Sequence, residues 1–539
     1  MKIYLYHDTH FETWDWTNST EQGIGGSETH TTEMAWRLAR RGHDVTVYAP
    51  TPFQDVREWR STRWQHYTQA DVTQPGTWVI YRNPAMLTKF AMSHPQQSIW
   101  FLAQDEWYPS WKPEHSQIID RFIPISTPHA RSCLRHMPSL QGKVWISSNG
   151  IKCDLIREIE ADGVPIRNPK RLMWASSPDR GLKYLLQSFR RAREYVPDLE
   201  LHCFYGFDNI DKLIASDVAY KYFVKLKEEI LRLSKQPGVT WHGRVSQRQL
   251  YHEWLMSGLW CYQTNFSETS CITCMEAQAL GAIPITNPYW ALGENVTYGV
   301  FIEGDAYGDP LTQARYAAEI VRLANAPDVQ AQIRADMMPW ARTQFNWERY
   351  VDQWEAWWRG QETGLIPHTQ FAFQHQHAYG DILNIGCAED PSNFKARGAV
   401  NVDVATENPI LHVANKADVQ ADARALPKTL LGRFDTVILG DLLEHMSDAD
   451  MLTSLRQAKT CLRNGGVVLV TCPNDARPKE AQHRGGTTQE SYTNGVSCYH
   501  TRPISREHLT NLVQLAGLRV AHYQPLDYTH FDGHGMVLR

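Results

Sequence analysis

The stretch FSETSCITCMEAQALGAIPI, Phe266 to Ile285, carries two glutamates, Glu268 and Glu276, eight positions apart across a Ser/Thr/Cys-rich segment. It reads as a helix starting near Ser270, running to Gly281 and leading into an apolar strand. The amides of Ser270, Cys271 and Ile272 would then be donors without helical partners, at the end of a dipole that favours an anion. At a rise of about 1.5 Å per residue, Glu276 lies ~9 Å along the axis from Ser270. A diphosphate on those amides would leave the neighbouring ribose within reach of Glu276. Glu268, in the preceding loop, could bond a hydroxyl at the other end of the diphosphate. A capping acid plus an incidental surface acid stays open for this segment taken alone.

A second candidate is the loop QGIGGSE, Gln22 to Glu28, between the strand-like MKIYLYHD and the stretch THTTEMAWRLARRGHDVTVYAP. Met34, Ala35, Leu38 and Ala39 are spaced for one helix face, Gly42 stops the helix, and VTVYA is a continuous apolar strand of the parallel-sheet kind. Gly23, Gly25 and Gly26 let backbone amides approach a ligand, and the next helix offers its positive end. A tight βα turn would account for the glycines equally well.

These segments need a frame. From Arg171 the chain alternates again: RLMWASS, a helix with Leu182, Leu185, Leu186 and Phe189 on one face, LELHCFYG, GVTWHGRV, a helix around QRQLYHEWLMSG, then LWCYQTN. Such alternation predicts a doubly wound parallel sheet, and two in tandem place a ligand cleft at the carboxyl ends of their strands. From Tyr379 the pattern restarts with GDILNIGCAEDPSNF, AVNVDVA, ADVQADARALP, FDTVILGDLLEHM and GGVVLVTCPN.

A length of 539 residues suggests three or four domains, and 42% hydrophobic with 21% charged residues is a soluble globular composition. A net charge of -5 gives no global reason to bind nucleic acid. The N-terminus lacks the apolar core of a signal peptide, and no apolar run reaches the roughly 18 residues of a membrane span. Cysteines such as Cys203, Cys261 and Cys472 lie in or beside apolar runs, so buried reduced thiols are expected and no metal. All 20 tryptophans lie at or before Trp358. That break coincides with the His/Gln-rich HTQFAFQHQHA, His368 to Ala378, which reads as a linker.

GIGGSETHTTEMAWRLARRGHDVTVYA, the SNGI of Ser148 to Ile151 and the E-x7-E of Glu268 and Glu276 together resemble the family 4 glycosyltransferases of GT-B type, over roughly residues 1 to 360. The resemblance implies retaining transfer of a sugar from a UDP- or GDP-sugar, without metal. Gly25 and Gly26 would close over the diphosphate, Thr269, Ser270, Cys271 and Ile272 would face it, Glu276 would bind the ribose and Glu268 the transferred sugar. Arg180-Gly181 stands at the family's Lys-Gly place, but Ala175 stands where a further Arg is usual, so Lys183 or Arg244 is expected to supply the second cation. Gln104-Asp105 occupies the place of a frequent His-Asp, which makes Asp105 an acceptor-site candidate. WARTQFNWERYVDQWEAWW fits the helix that crosses back to the N-terminal domain.

The last third resembles class I S-adenosylmethionine-dependent methyltransferases. By that likeness Asn384, Gly386 and Cys387 would approach the methionine moiety, Asp403 the ribose hydroxyls, Asp422 and Ala423 the adenine, and Gly440 and Asp441 the fourth strand end. His445, in LLEHM, is the general-base candidate among the histidines there, which include His483, His500, His530 and His534. The usual G-x-G-x-G is reduced to GCAEDP, with Ala388 at a glycine position, so a domain kept for architecture stays open.

The expected fold is therefore α/β, two tandem Rossmann-like domains followed by a third. The expected boundaries are 1–165 (acceptor), 166–335 (donor), 336–360 (crossover helix), 361–378 (linker) and 379–539 (methyltransferase-like). The expected function is glycosyl transfer to a glycan or glycoconjugate, with O-methylation of a sugar hydroxyl. A phage-type enzyme acting on hydroxylated pyrimidines in DNA, and a scaffold role for the last domain, stay as alternatives. The expected location is the cytoplasm, with peripheral contact to the inner membrane face through residues such as Trp107 and Trp111 left open.

Overall fold

A computed structural model describes the chain except for residues 9–12, 91–95, 141, 217–219, 303, 361–372, 375–376, 388–397, 405–406, 409–412, 415–416, 474–503 and 529–530. The expectations on Ala388, His483, His500, His530 and most of the 361–378 linker fall outside the described residues. Contacts divide the chain into two units, 1–365 and 366–539.

The first unit holds two sheets. In the first, β1 (Lys2–Tyr6), β2 (Asp44–Ala49), β3 (Arg57–Trp59), β4 (Thr62–His66), β5 (Gly76–Tyr81), β6 (Gln97–Leu102) and β7 (Arg121–Ile123) take the order β3-β4-β2-β1-β5-β6-β7. Only the β3–β4 pairing is antiparallel. The helix Gly26–Arg40 buries Met34, Ala35, Leu38 and Ala39, the face its spacing marks, and Gly42 follows at φ 90°. The second sheet is wholly parallel, ordered β10-β9-β8-β11-β12-β13 from β8 (Asn168–Trp174), β9 (Glu200–Phe204), β10 (Val239–Gly243), β11 (Ser257–Tyr262), β12 (Ile283–Thr286) and β13 (Val300–Phe301). Its near-continuous apolar strands are what burial on both faces requires.

The chain then returns to the first sheet. The helix Trp347–Trp358 buries Trp347, Trp354 and Trp357 in the core that also contains Trp100. Truncating a buried Trp of this kind to alanine costs roughly 3–5 kcal/mol. Arg37, Arg40 and Arg41 of the first helix pair with Glu348, and Arg41 also with Asp352 and Glu355. Gly150 of SNGI is needed for this approach, because a Cβ there would lie 2.8 Å from the Phe345 carbonyl and 2.8 Å from the Trp347 ring.

In the second unit, β14 (Ile382–Ile385), β15 (Val400–Asp403), β18 (Val419–Gln420), β19 (Phe434–Gly440), β20 (Leu462–Pro473), β21 (Val520–Tyr528) and β22 (Phe531–Leu538) form a sheet ordered β18-β15-β14-β19-β20-β22-β21. The short β16 (Glu407–Asn408) and β17 (Val413–Ala414) pair separately. β22 runs antiparallel to both neighbours, the other pairings are parallel, and the strand order reverses between β14 and β19. Phe373, Gln374 and Ala378, inside the expected linker, are buried in this unit, with Gln374 Nε2 donating to Thr471 Oγ1 at 2.8 Å. Phe373, an apolar residue amid polar neighbours, anchors this segment where its mean composition is that of a linker.

Candidate functional sites

In the first unit the glycine loop and the helix Ile272–Leu280 face each other. Gly25 caps the helix that begins at Gly26, and a Cβ on Gly26 would touch Ile272 Cδ1 at 3.4 Å and Asn149 Nδ2 at 3.8 Å. Gly23, at φ 69°, faces the Val245 carbonyl. The helix carrying Glu276 begins at Ile272, with Cys271 as its cap, so Ser270 and Cys271 precede the first turn rather than opening it. Cross-lobe bonds hold this segment in place. Asn149 N donates to Ser270 Oγ at 3.3 Å, and Thr269 Oγ1 donates to the Gln104 carbonyl at 3.1 Å. Ser176, just beyond β8, lies 3.1 Å from Thr273 through their hydroxyls. Cys271 and Cys274 stand in a C-x-x-C spacing, but both are buried, and burial raises both thiols, which keeps them in the unreactive form.

Glu268 is 5% exposed, and its Oε1 accepts from Tyr262 Oη at 2.5 Å and from Arg180 Nη1 at 3.1 Å. Arg180 also lies 4.2 Å over the Phe266 ring, and Glu268 offsets burial to hold its guanidinium charged. Gly181 follows at φ 118°, where a Cβ would collide with the Gln263 carbonyl. That close approach fixes the Arg180 backbone against the end of β11. Asp105 is joined bidentately to Arg82, Nη2 to Oδ1 at 2.6 Å and Nε to Oδ2 at 3.0 Å. Arg82 Nη1 reaches Ser27 Oγ at 3.3 Å, which ties this pair to the glycine loop.

The structure does not bring Lys183 to this cluster. Its amine pairs with Glu229 at 2.9 Å on the helix Tyr220–Leu233, because the second position of the helix Leu182–Arg193 faces that neighbour. Arg244 Nε lies 3.3 Å from Asp208 Oδ2, and its guanidinium sits over Tyr205.

Glu276 is buried under the helix Gln247–Met256, and its Oε1 accepts from Gln247 Nε2 at 2.6 Å. Burial pushes its carboxyl up to about 7, against the lowering pull of Gln247, Tyr251 and Lys152. The folded chain therefore binds this proton more tightly than the unfolded chain does, so stability falls as pH rises from the usual carboxyl range through about 7. Glu276→Gln should raise the Tm at pH 8, by an amount corresponding to at most ~3 kcal/mol, and leave it unchanged at pH 5. A pH-independent effect in melting scans would remove the ionisation argument.

In the second unit the expected residues line the carboxyl ends of β14, β15, β18 and β19. Gly386 adopts φ 75°, and a Cβ there would sit 3.1 Å from Leu442, so the β14 and β19 loops meet at the reversal of strand order. Asn384 Nδ2 donates to Asn401 Oδ1 at 3.2 Å inside the sheet, and Cys387 is buried. Asp403 ends β15, its carbonyl accepting from Ala421 N at 2.9 Å. Asp422, beside the buried Ala423, is clasped by Arg424, with Nη2 to Oδ2 at 2.6 Å and Nε to Oδ1 at 2.9 Å. These hydrogen bonds lower its carboxyl. Gly440 packs against Gln374, and Asp441 takes the left-handed φ of 50°, a strained conformation of the sort found at functional loops. His445 Nε2 is 3.8 Å from Glu444 Oε1, and burial, reinforced by Asp441, pushes the Glu444 carboxyl well up, which favours its protonated form. His534 is instead a core group, its ring between Tyr523 Oη and the Ile504 carbonyl.

Trp107 stacks on His136, and Trp111 packs edge-on to Phe101 and Phe122, so both rings are engaged internally. Among the described residues no helix is long and apolar enough to cross a membrane.

Residues 24–93 match the model of Glycosyltransferase Family 4, and residues 357–523 match that of a methyltransferase domain. No curated protein matches the chain. A sucrose-phosphate synthase from Thermosynechococcus elongatus aligns with TM-score 0.50 and 14% identity over 67% of this chain and 98% of that one. HepE of Anabaena, solved with UDP, aligns with TM-score 0.47 and 14% identity over 67% and 100%. A glycosyltransferase from Rickettsia africae gives 0.47 and 14% over 67% and 98%. Identities this low show fold alone. The chain joins a GT-B fold to a methyltransferase domain.

Proposed function

We propose that the first unit is a retaining glycosyltransferase that moves a sugar from a UDP- or GDP-sugar to a hydroxyl of a glycan or glycoconjugate. What carries this reading is the meeting of Gly26 with Ile272 across the cleft, with the Glu268–Arg180 pair beside it. In this reading the Gly25–Gly26 loop and the Ile272 end of its helix receive the diphosphate, Glu276 accepts from the ribose, and Glu268 accepts from the transferred sugar. The bond from the anomeric carbon to the leaving phosphate oxygen breaks as the acceptor oxygen bonds to the same face. The acceptor's proton passes to that phosphate oxygen, whose charge Arg180 offsets. Asp105, already bidentate with Arg82, serves to hold the cleft wall rather than to take a proton.

The second unit is proposed to bind S-adenosylmethionine through the Gly386 and Gly440–Asp441 loops and Asp403, and to methylate a sugar hydroxyl, with His445 taking its proton. One observation favours a non-catalytic reading of this unit: Arg424 already occupies the Asp422 carboxylate. The test uses the full chain. Nucleotide release should be stimulated by one of a panel of nucleotide sugars and lost in Glu268→Gln, with S-adenosylmethionine binding read by calorimetry. Unaltered release in Glu268→Gln would remove the proposed sugar contact.

A further inference from the structure

We propose that Lys152 and Tyr251 are positioning residues that tie the grip of Glu276 on the donor nucleoside to engagement of the two lobes of the first unit, an inference that rests on the ribose reading of Glu276. Lys152 directly follows SNGI and is 7% exposed. Its Nζ donates to the Ser19 carbonyl at 2.7 Å and lies 3.3 Å from Glu33 Oε1, both in the lobe built on the first sheet. Its backbone N–H donates to the Tyr251 hydroxyl at 3.2 Å, in the lobe built on the second sheet. The helix that carries Tyr251 also carries Gln247, which donates to Glu276 Oε1 at 2.6 Å, and the Tyr251 hydroxyl and the Glu276 carboxyl act electrostatically on one another. One residue therefore holds the first lobe through its side chain and the partner of Glu276 through its backbone.

An ammonium buried this deeply costs several kcal/mol unless paired. Glu33 provides the pairing, and Arg37 binds the other Glu33 oxygen, so the site is neutralised only while the first lobe is in place. Lys152 and Tyr251 are the titratable groups that act on Glu276 from neighbouring elements, with Gln247 and Trp254 adding neutral donors. Arg342 and Arg167 lie toward the far end of its helix, on the carbonyls of Ala279 and Leu280. If the lobes separate, Lys152 loses Ser19 and Glu33 and is free to move toward water. Glu276 then loses the cation that favours its ionised form, and the Tyr251 hydroxyl is left with a Lys152 amide no longer anchored from the first lobe. A neutral carboxyl is the weaker acceptor for ribose hydroxyls, so the nucleoside is held tightly only in the engaged state.

Calorimetry with UDP and GDP from pH 5 to 9 on the full chain tests this. The affinity of whichever nucleotide binds should rise through about pH 7 in the wild type, and Glu276→Gln should flatten the profile. Tyr251→Phe and Lys152→Met should each move the midpoint up by about one pH unit and weaken binding about fivefold at pH 7, and Lys152→Arg should restore the midpoint. Wild-type binding by Glu276→Gln at every pH, or binding of neither nucleotide, would overturn the ribose reading and the coupling with it. A flat Glu276→Gln profile beside unmoved midpoints in Tyr251→Phe and Lys152→Met would overturn the coupling alone. Tyr251→Phe removes a single oxygen, so it decides the matter even if Lys152→Met fails to fold.

Discussion

Replacing Arg180 by alanine should lower kcat for sugar transfer by roughly 10²–10³-fold while changing KM for the donor little. In the proposed reaction, negative charge on the diphosphate grows as the glycosidic bond breaks, so a cation placed at the leaving oxygen acts more on the transition state than on the bound donor. The two other cations expected for this work are engaged elsewhere: Ala175 stands where a second arginine is usual, Lys183 pairs with Glu229, and Arg244 lies against Asp208. Arg180→Lys should recover only part of the rate, because the ammonium lacks the planar fork that could meet Glu268 and the proposed phosphate together. Steady-state kinetics with the cognate donor reads this, and a melting scan separates it from the destabilisation of leaving Glu268 without its cation. A kcat unchanged within threefold would mean that the guanidinium only balances Glu268.

Much of this site is legible in local sequence, and the part that is not has a physical reason. The glycine loop, the helix face of Met34, Ala35, Leu38 and Ala39, and the helix of Glu276 are fixed by periodicity and backbone freedom over fewer than twenty residues. The helix start moved from Ser270 to Ile272 because Asn149, 121 positions away, engages the Ser270 hydroxyl. Gln247, Tyr251 and Lys152 reach Glu276 only through tertiary packing, and nothing in QRQLYHEW marks its first residue as a carboxylate partner. Lys183 carried a plausible charge at a plausible spacing from Arg180, yet helix phase turned it to Glu229. The Arg82–Asp105 pair, 23 residues apart in the chain, joins the ends of β5 and β6, adjacent strands in the sheet. In the second unit, the positions taken from the family likeness lie at or beside strand ends, whereas the Arg424 clasp on Asp422 depends on side-chain rotamers that no periodicity encodes.

That clasp sets up the second large effect, a contrast between two aspartates. Asp403→Ala should weaken S-adenosylmethionine binding to the full chain by about 10–100-fold, while Asp422→Ala should weaken it less than threefold. A carboxylate accepting from ribose hydroxyls forms charge-assisted hydrogen bonds worth roughly 1.5–3 kcal/mol, which gives the first figure. Asp403 is well set for that role. It ends β15 next to the β14 loop of Gly386, at the crevice where the strand order reverses, and the Ala421 amide fixes its backbone. Asp422 has its oxygens already bonded to Arg424, and recruiting it to an adenine amino group would first require breaking bonds of comparable strength. Arg424→Gln should therefore tighten binding modestly, by releasing Asp422, an outcome opposite in sign to the usual loss on removing a charged group from a ligand site. Isothermal titration of the wild type and the three variants reads all of this. Equal losses at Asp403 and Asp422 would show that Arg424 swings away on binding, and the absence of heat with the wild type would leave the second unit as a scaffold.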